Sequence, residues 1–203
     1  MATQTVFLAN PAGTKATYVG NPPNDSYIIS DNDGNDTITL GSGADQLGLG
    51  NGNNTLTLGN GSDQIDVGDG NNTMTLGNGA DQIIAGNGGN TITTGTGNSQ
   101  IIVGDGNNTI TVGTGSNAVV LGAGIDSVTT GAGHNVVAVS GATLSGDTLE
   151  GALTSGDGTT NRLVLSDHGT MNPVNVSGFA SWQLASGGPN VLTLSNANFA
   201  RIP

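Results

Sequence analysis

The residues with chemistry to offer are oxygen-bearing side chains held at one fixed place in a nine-residue repeat. From Gly41 to Val139 the chain runs through GSGADQLGL, GNGNNTLTL, GNGSDQIDV, GDGNNTMTL, GNGADQIIA, GNGGNTITT, GTGNSQIIV, GDGNNTITV, GTGSNAVVL, GAGIDSVTT and GAGHNVVAV without a gap. A looser NDGNDTITL precedes them at Asn32–Leu40. The fifth place reads Asp45, Asp63, Asp81, Ser99, Asn117, Asn135 in one set of alternate units and Asp36, Asn54, Asn72, Asn90, Asn108, Asp126 in the other. Carboxylates and carboxamides of this kind are oxygen ligands. The net charge of −12, with only Lys15, Arg162 and Arg201 basic, fits a chain that needs cations to fold or assemble. The same charge argues against nucleic acid and anionic lipid surfaces as partners. Catalysis is not expected. His134 falls in a turn, and His168 follows Asp167 in a loop with no nucleophile beside it. The Gly-x-Gly turns lack the following helix and the lysine that a phosphate cradle uses.

A short fixed period means stacked supersecondary units, and these must position the ligands. Places 1 and 3 are glycine, flanking a small polar residue, which makes a tight turn needing positive φ. Places 6 to 9 alternate outward and inward, a short half-buried strand with place 7 always apolar and place 9 mostly so. Nine residues therefore give one turn and one strand, which is half a coil. Place 6 supports the doubling: Gln46, Gln64, Gln82 and Gln100 in one set of units, and Thr37, Thr55, Thr73, Thr91 and Thr109 in the other. Like residues eighteen apart form columns when coils stack at strand spacing, about 4.8 Å. The fold class is all-β: a flattened right-handed parallel β-solenoid of about six coils, two nine-residue units per coil, with irregular β caps at both ends. Its core is a narrow aliphatic ladder beginning Ile38, Leu40, Leu47, Leu49, Leu56, Leu58, which explains how a chain with three per cent aromatics can fold.

High glycine and low hydrophobic content alone would suggest disorder, but the strict period overrides that, because stacking pools the two side chains each unit buries. The chain divides into an N-terminal cap and degenerate first unit at 1–31, the repeat solenoid at 32–139, and a C-terminal β cap at 140–203. Residues Met1 to Tyr18 are expected to cover the first coil, since an open end exposes unpaired strand edges. The second cap carries Phe179 and Trp182 and is either a last pair of coils or a small sandwich. There is no cysteine and no apolar run long enough to span a membrane. The opening MATQTVFLANPAGTK lacks a basic and then an apolar region, so no cleavable signal peptide is expected.

The pattern G-x-G-x-D-x-U-x, with U apolar, resembles the nonapeptide of the RTX (repeats-in-toxin) β-roll family, over roughly half the chain. The resemblance implies that turn aspartates and turn carbonyls of adjacent coils hold Ca²⁺, a hard ion bound by oxygens. Carried onto this chain, the metal ligands are Asp36, Asp45, Asp63, Asp81 and Asp126, with further carboxylates at Asp69 and Asp105 in place 2. The chain departs from the family pattern where Leu49, Leu58 or Val67 replaces its first glycine, and where asparagine replaces its aspartate. Two carboxylates eighteen residues apart occur only as Asp45 with Asp63 and Asp63 with Asp81, so calcium is expected at the N-terminal end and uncharged ladders beyond it. The competing reading is that these aspartates merely cap turns. The run VSGFASWQLASGGPNVLTLSNANF also looks like segments of large bacterial extracellular calcium-repeat proteins. Proteins of that kind resemble substrates of type I secretion, which uses no N-terminal signal, and this implies a secreted or cell-surface location.

The outward places distinguish two faces. One carries Thr37 with Thr39, Thr55 with Thr57, Thr73 with Thr75, Thr91 with Thr93 and Thr109 with Thr111, a flat array similar to the ice-binding face of β-solenoid antifreeze proteins. The plainer reading is that β-branched threonine suits exposed strands. The other face turns apolar along Ile84, Ile102, Val120, Val136 and Ala138, a stripe that the C-terminal cap or another subunit must cover. The leading functional reading is an extracellular, calcium-dependent structural solenoid that self-assembles into a layer, filament or matrix. Ice binding is the alternative, and an enzyme is a distant third.

Overall fold

Burial alternates residue by residue along every repeat strand, and this builds the architecture. A computed structural model describes residues 2–8, 14–20, 23–139, 148–151, 161–165, 170–171, 175–177, 179, 181–184 and 191–192. In Gln46–Leu49, Gln64–Val67, Gln82–Ala85 and Gln100–Val103 the first and third residues face solvent and the second and fourth are buried. Thr55–Thr57, Thr73–Thr75 and Thr91–Thr93 each bury only their middle residue. Successive strands thus lie on opposite sides of one core, which is what makes two nonapeptides a coil.

Every strand pair among the described residues is parallel. Among the described residues, the sheet carrying the glutamines has ten strands and the sheet carrying the threonines has nine. Within the repeat the register is eighteen residues, as in Gln46 against Gln64 and Thr55 against Thr73. No described residue is helical, so no described helix is long and apolar enough to cross a membrane.

The stack is longer than the six coils expected. Thr3–Leu8 pairs with Ser26–Asp31 over six residues and so adds a rung to the glutamine sheet. At the other end Arg162–Leu165 pairs with Val136–Val139, and Ser181–Leu184 pairs with Arg162–Leu165. The physical reason is that a parallel edge offers a row of free N–H and C=O groups, and the next strand of the same chain satisfies them. Thr170–Met171 and Val191–Leu192 form a separate small pair.

The core is a double column of aliphatic side chains. Ile38, Leu56, Met74, Ile92, Ile110 and Val128 face Leu47, Ile65, Ile83, Ile101, Val119 and Val137, all buried. Burial of each Leu or Ile contributes about 2 kcal/mol. Tyr18 and Tyr27 close the N-terminal end edge to face, with ring centres 5.9 Å apart. Phe179 is buried toward the other end; the side chain of Trp182 lies outside the described residues.

The two glycines of each turn do different work. A Cβ on the first would run into the coil below: at Gly59 it would lie 2.6 Å from the Gly41 carbonyl oxygen. The second also adopts positive φ in eight of the repeats, +140° at Gly70. Close approach explains the first glycine, and backbone conformation joins it only at the second.

Candidate metal centre

The fifth place of every repeat turns inward at the corner where turn meets strand, and two columns of polar side chains run through the molecule there. Each member is almost fully buried. On the glutamine-sheet edge the column is Asp45, Asp63, Asp81, Ser99, Asn117, Asn135 and then Asn161. On the threonine-sheet edge it is Asp36, Asn54, Asn72, Asn90, Asn108 and Asp126.

A common hydrogen bond links all members. The side-chain oxygen of one coil accepts the backbone N–H of its counterpart in the coil before. Asp63 Oδ1 accepts from Asp45 at 2.9 Å and Asp81 Oδ1 from Asp63 at 3.1 Å. Asn72 Oδ1 accepts from Asn54 at 3.0 Å. Tyr27 and Ala16 donate to Asp45 and Asp36 at the first rungs, both at 2.8 Å. On the outside of the turns a second ladder runs the other way: Asp69 Oδ1 accepts the N–H of Asn87 at 2.7 Å and Asp105 Oδ1 that of Ala123 at 2.8 Å.

The second side-chain atom separates Asn from Asp. The amide nitrogen of Asn72 donates to the turn carbonyls of Gly68 and Gly70, both at 3.2 Å, and to Asn90 Oδ1 at 3.0 Å. Asn90 does the same with Gly86, Gly88 and Asn108, and Asn117 with Gly113, Gly115 and Asn135. In Asp36, Asp45, Asp63 and Asp81 that place is held by Oδ2, which has no hydrogen-bond partner although it is buried. An oxygen stands where a donor is needed, beside turn carbonyls equivalent to those the amides satisfy. Only a proton or a cation relieves such a cluster.

Electrostatics agrees. Burial pushes the Asp63 carboxyl up to about 7; the hydrogen bond from Asp45 opposes this, and the charges of Asp45 and Asp81 add to it. Burial likewise raises Asp45, Asp81 and Asp126. A cavity of about 290 Å³ opens beside the same column, lined by Ala44, Asp45, Gln46, Ser62, Asp63, Gln64, Ala80 and Gln82.

The residues present fit a hard divalent cation. Asp45, Asp63 and Asp81, with the carbonyls of the turns they close, would hold it, and the ion would neutralise the buried charge. No three acidic or imidazole side chains converge among the described residues, so backbone carbonyls would have to complete any shell. The structure brings Asp45, Asp63 and Asp81 into one column. It keeps Asp36 and Asp126 apart, at opposite ends of the asparagine ladder, where Asp126 Oδ1 accepts from the backbone N–H and side-chain amide of Asn108. Asp69 and Asp105 are exposed on the outer ladder with Asn87 between them. Asn161 is a column member that sequence reading missed. It sits twenty-six residues beyond Asn135, and the available signal was an Asn directly before the strand-like RLVL.

The two faces are placed as well. The threonines form two columns in register. One runs Thr37, Thr55, Thr73, Thr91 and Thr109, and the other runs Thr39, Thr57, Thr75, Thr93 and Thr111. All are exposed except Thr37, which is half-buried. Ile84, Ile102 and Val120 are aligned and 49%, 47% and 42% exposed; Val136 and Ala138 are half-buried. The described C-terminal strands extend this sheet end to end and leave the stripe itself uncovered.

Parallel coils of two nonapeptides, with Asp and Asn columns at the turns, define a calcium-binding β-roll. A model of the RTX calcium-binding nonapeptide repeat, four copies long, matches residues 28–56, 49–83, 57–92, 84–119 and 111–140, more than half of the chain. The chain belongs to this family, and calcium is the family's ion. Neither a search of curated proteins nor one of solved structures found a match. The family match does not support the ice-binding alternative. The two columns, from Thr37 and Thr39 to Thr109 and Thr111, need no ice to explain them. They occupy outward strand places, where β-branched threonine packs well against its neighbours in the ladder.

Proposed function

We propose that this chain is an extracellular structural solenoid that binds calcium through its buried aspartates and assembles with copies of itself into a layer, filament or matrix. Asp45, Asp63 and Asp81 with their turn carbonyls form the principal sites, Asp36 and Asp126 single-carboxylate sites, and Asp69 and Asp105 add exposed negative charge. One observation carries the reading: the partnerless Oδ2 atoms of Asp36, Asp45, Asp63 and Asp81, each buried where an asparagine presents N–H donors. Calcium suits them because it takes about six to eight oxygen ligands in flexible geometry. Family members typically leave the cell by type I secretion, which supports an extracellular location. The apolar stripe at Ile84, Ile102 and Val120 supports self-association.

Calorimetric titration with calcium chloride tests the sites. The chain should bind calcium, and a variant combining Asp45→Asn, Asp63→Asn and Asp81→Asn should lose most of that binding. Absence of binding in the parent chain, or unchanged binding in the triple variant, rejects the assignment.

A further inference from the structure

We infer that the ladder asparagines Asn54, Asn72, Asn90, Asn108, Asn117 and Asn135 do the cation's work with their own side-chain amides, so that the solenoid has two kinds of turn, one needing calcium and one needing none. This rests on the reading of the Asp turns as calcium sites.

The two turn types are superposable by sequence place and differ at one atom. In both, the side-chain oxygen at place 5 accepts the N–H of the coil before. In both, the remaining atom of the same side chain faces the corner of the turn. Where that atom is nitrogen, it donates to the carbonyl four residues back, to the carbonyl two back in every case but Asn135, and to the oxygen of the next coil: Gly86, Gly88 and Asn108 for Asn90, at 3.0, 3.2 and 3.0 Å. Those acceptors are of the kinds a calcium ion takes, turn carbonyls and a side-chain oxygen. The –NH₂ group thus supplies positive hydrogens where the Asp turns need positive charge. It carries no net charge, so like-charge repulsion does not build up as the column lengthens.

The distribution along the fold is uneven. The threonine-sheet edge is asparagine from Asn54 to Asn108, four rungs in succession, whereas the glutamine-sheet edge is aspartate at Asp45, Asp63 and Asp81 in the first three of those coils. One edge of those coils is therefore closed from within and the other depends on an ion. On the glutamine edge the change comes at Ser99, whose Oγ accepts from Asp81 at 3.5 Å, the longest bond of the column; from Asn117 onward that edge too is closed by amides.

Amide hydrogen exchange on the full chain, with calcium and with chelator, reads the two edges separately. Chelation should speed exchange at Asp45, Gly59, Asp63 and Gly77 by about tenfold or more, the effect of leaving a buried polar group unsatisfied. Gly70, Asn72, Gly88 and Asn90, in the same coils, should stay within about twofold. In Asn72→Asp the exchange at Gly70 and Asn72 should become calcium-dependent; in Asp63→Asn the exchange at Gly59 and Asp45 should cease to be. An equal calcium response along both edges, or edges that keep their behaviour in both variants, overturns the inference while leaving calcium binding intact. No response at either edge, with no calorimetric binding, removes the calcium reading and the inference with it.

Discussion

At Asp63 a carboxylate lies between those of Asp45 and Asp81 in a column closed to water, and its ordinary ionisation becomes a matter of folding. Burial holds its carboxyl near 7 in the folded chain against 3.8 for the free group. Between those values the native state keeps a proton that the unfolded chain has released, so stability falls as pH rises through that window. Asp45 and Asp81 shift the same way for the same reason. In chelator the melting temperature should therefore be higher at pH 5 than at pH 8. Saturating calcium should oppose that trend, because the ion selects the ionised carboxylate. Thermal unfolding followed by circular dichroism decides the matter: a calcium-free protein equally stable at pH 8 would show that these carboxylates are ionised at little cost.

A single nonapeptide cannot bury its apolar residues alone, and its turn works only against the turn of the next coil. Gly70 shows how tight that contact is. Its φ is +140°, and an added Cβ would lie 2.1 Å from the Gly52 carbonyl oxygen, which is backbone and cannot swing aside. Gly70→Ala should cost about 3 kcal/mol through strain and coil separation. Gly48 sits in a strand facing solvent, and a Cβ there meets nothing within 4 Å. Gly48→Ala should stay within about 0.5 kcal/mol. Denaturant midpoints of the two variants compare them directly, and similar losses would mean that turn geometry is not what limits stacking. The glycine pattern was legible in the chain, but its two causes were not, because the close approach at Gly59 involves a residue eighteen places away.

Across the whole molecule the two faces differ in what they offer a partner. The threonine face is polar throughout the repeat from Thr37 and Thr39 to Thr109 and Thr111, whereas the glutamine face passes from Gln46, Gln64 and Asp66 to a row of exposed aliphatic side chains. Ile102 stands at the middle of that row. Ile102 is about half exposed, so Ile102→Glu should lower the melting temperature little, while any ordered polymer of the parent chain should be lost. Electron micrographs with and without chelator test this; a parent chain without polymers in either condition counts against assembly through the stripe. The stack also outgrows the repeat, since strands on both sides of the nonapeptides join the same two sheets.

The amino-acid sequence by itself determined the nine-residue unit, the inward ladder of Ile, Leu and Val, the eighteen-residue register and the family to which the unit belongs. These follow from local rules: two-residue alternation, glycine at turns, and like residues two units apart. Tertiary structure decided what each place-5 side chain meets. An amide at Asn72 finds two carbonyls and an oxygen and is satisfied; Oδ2 of Asp63, in the same setting, finds no donor. It also decided that Asn161, twenty-six residues on in the chain, takes the next place in the column below Asn135. Side-chain type is written in the chain, but hydrogen-bond satisfaction belongs to neighbours that only stacking brings within reach.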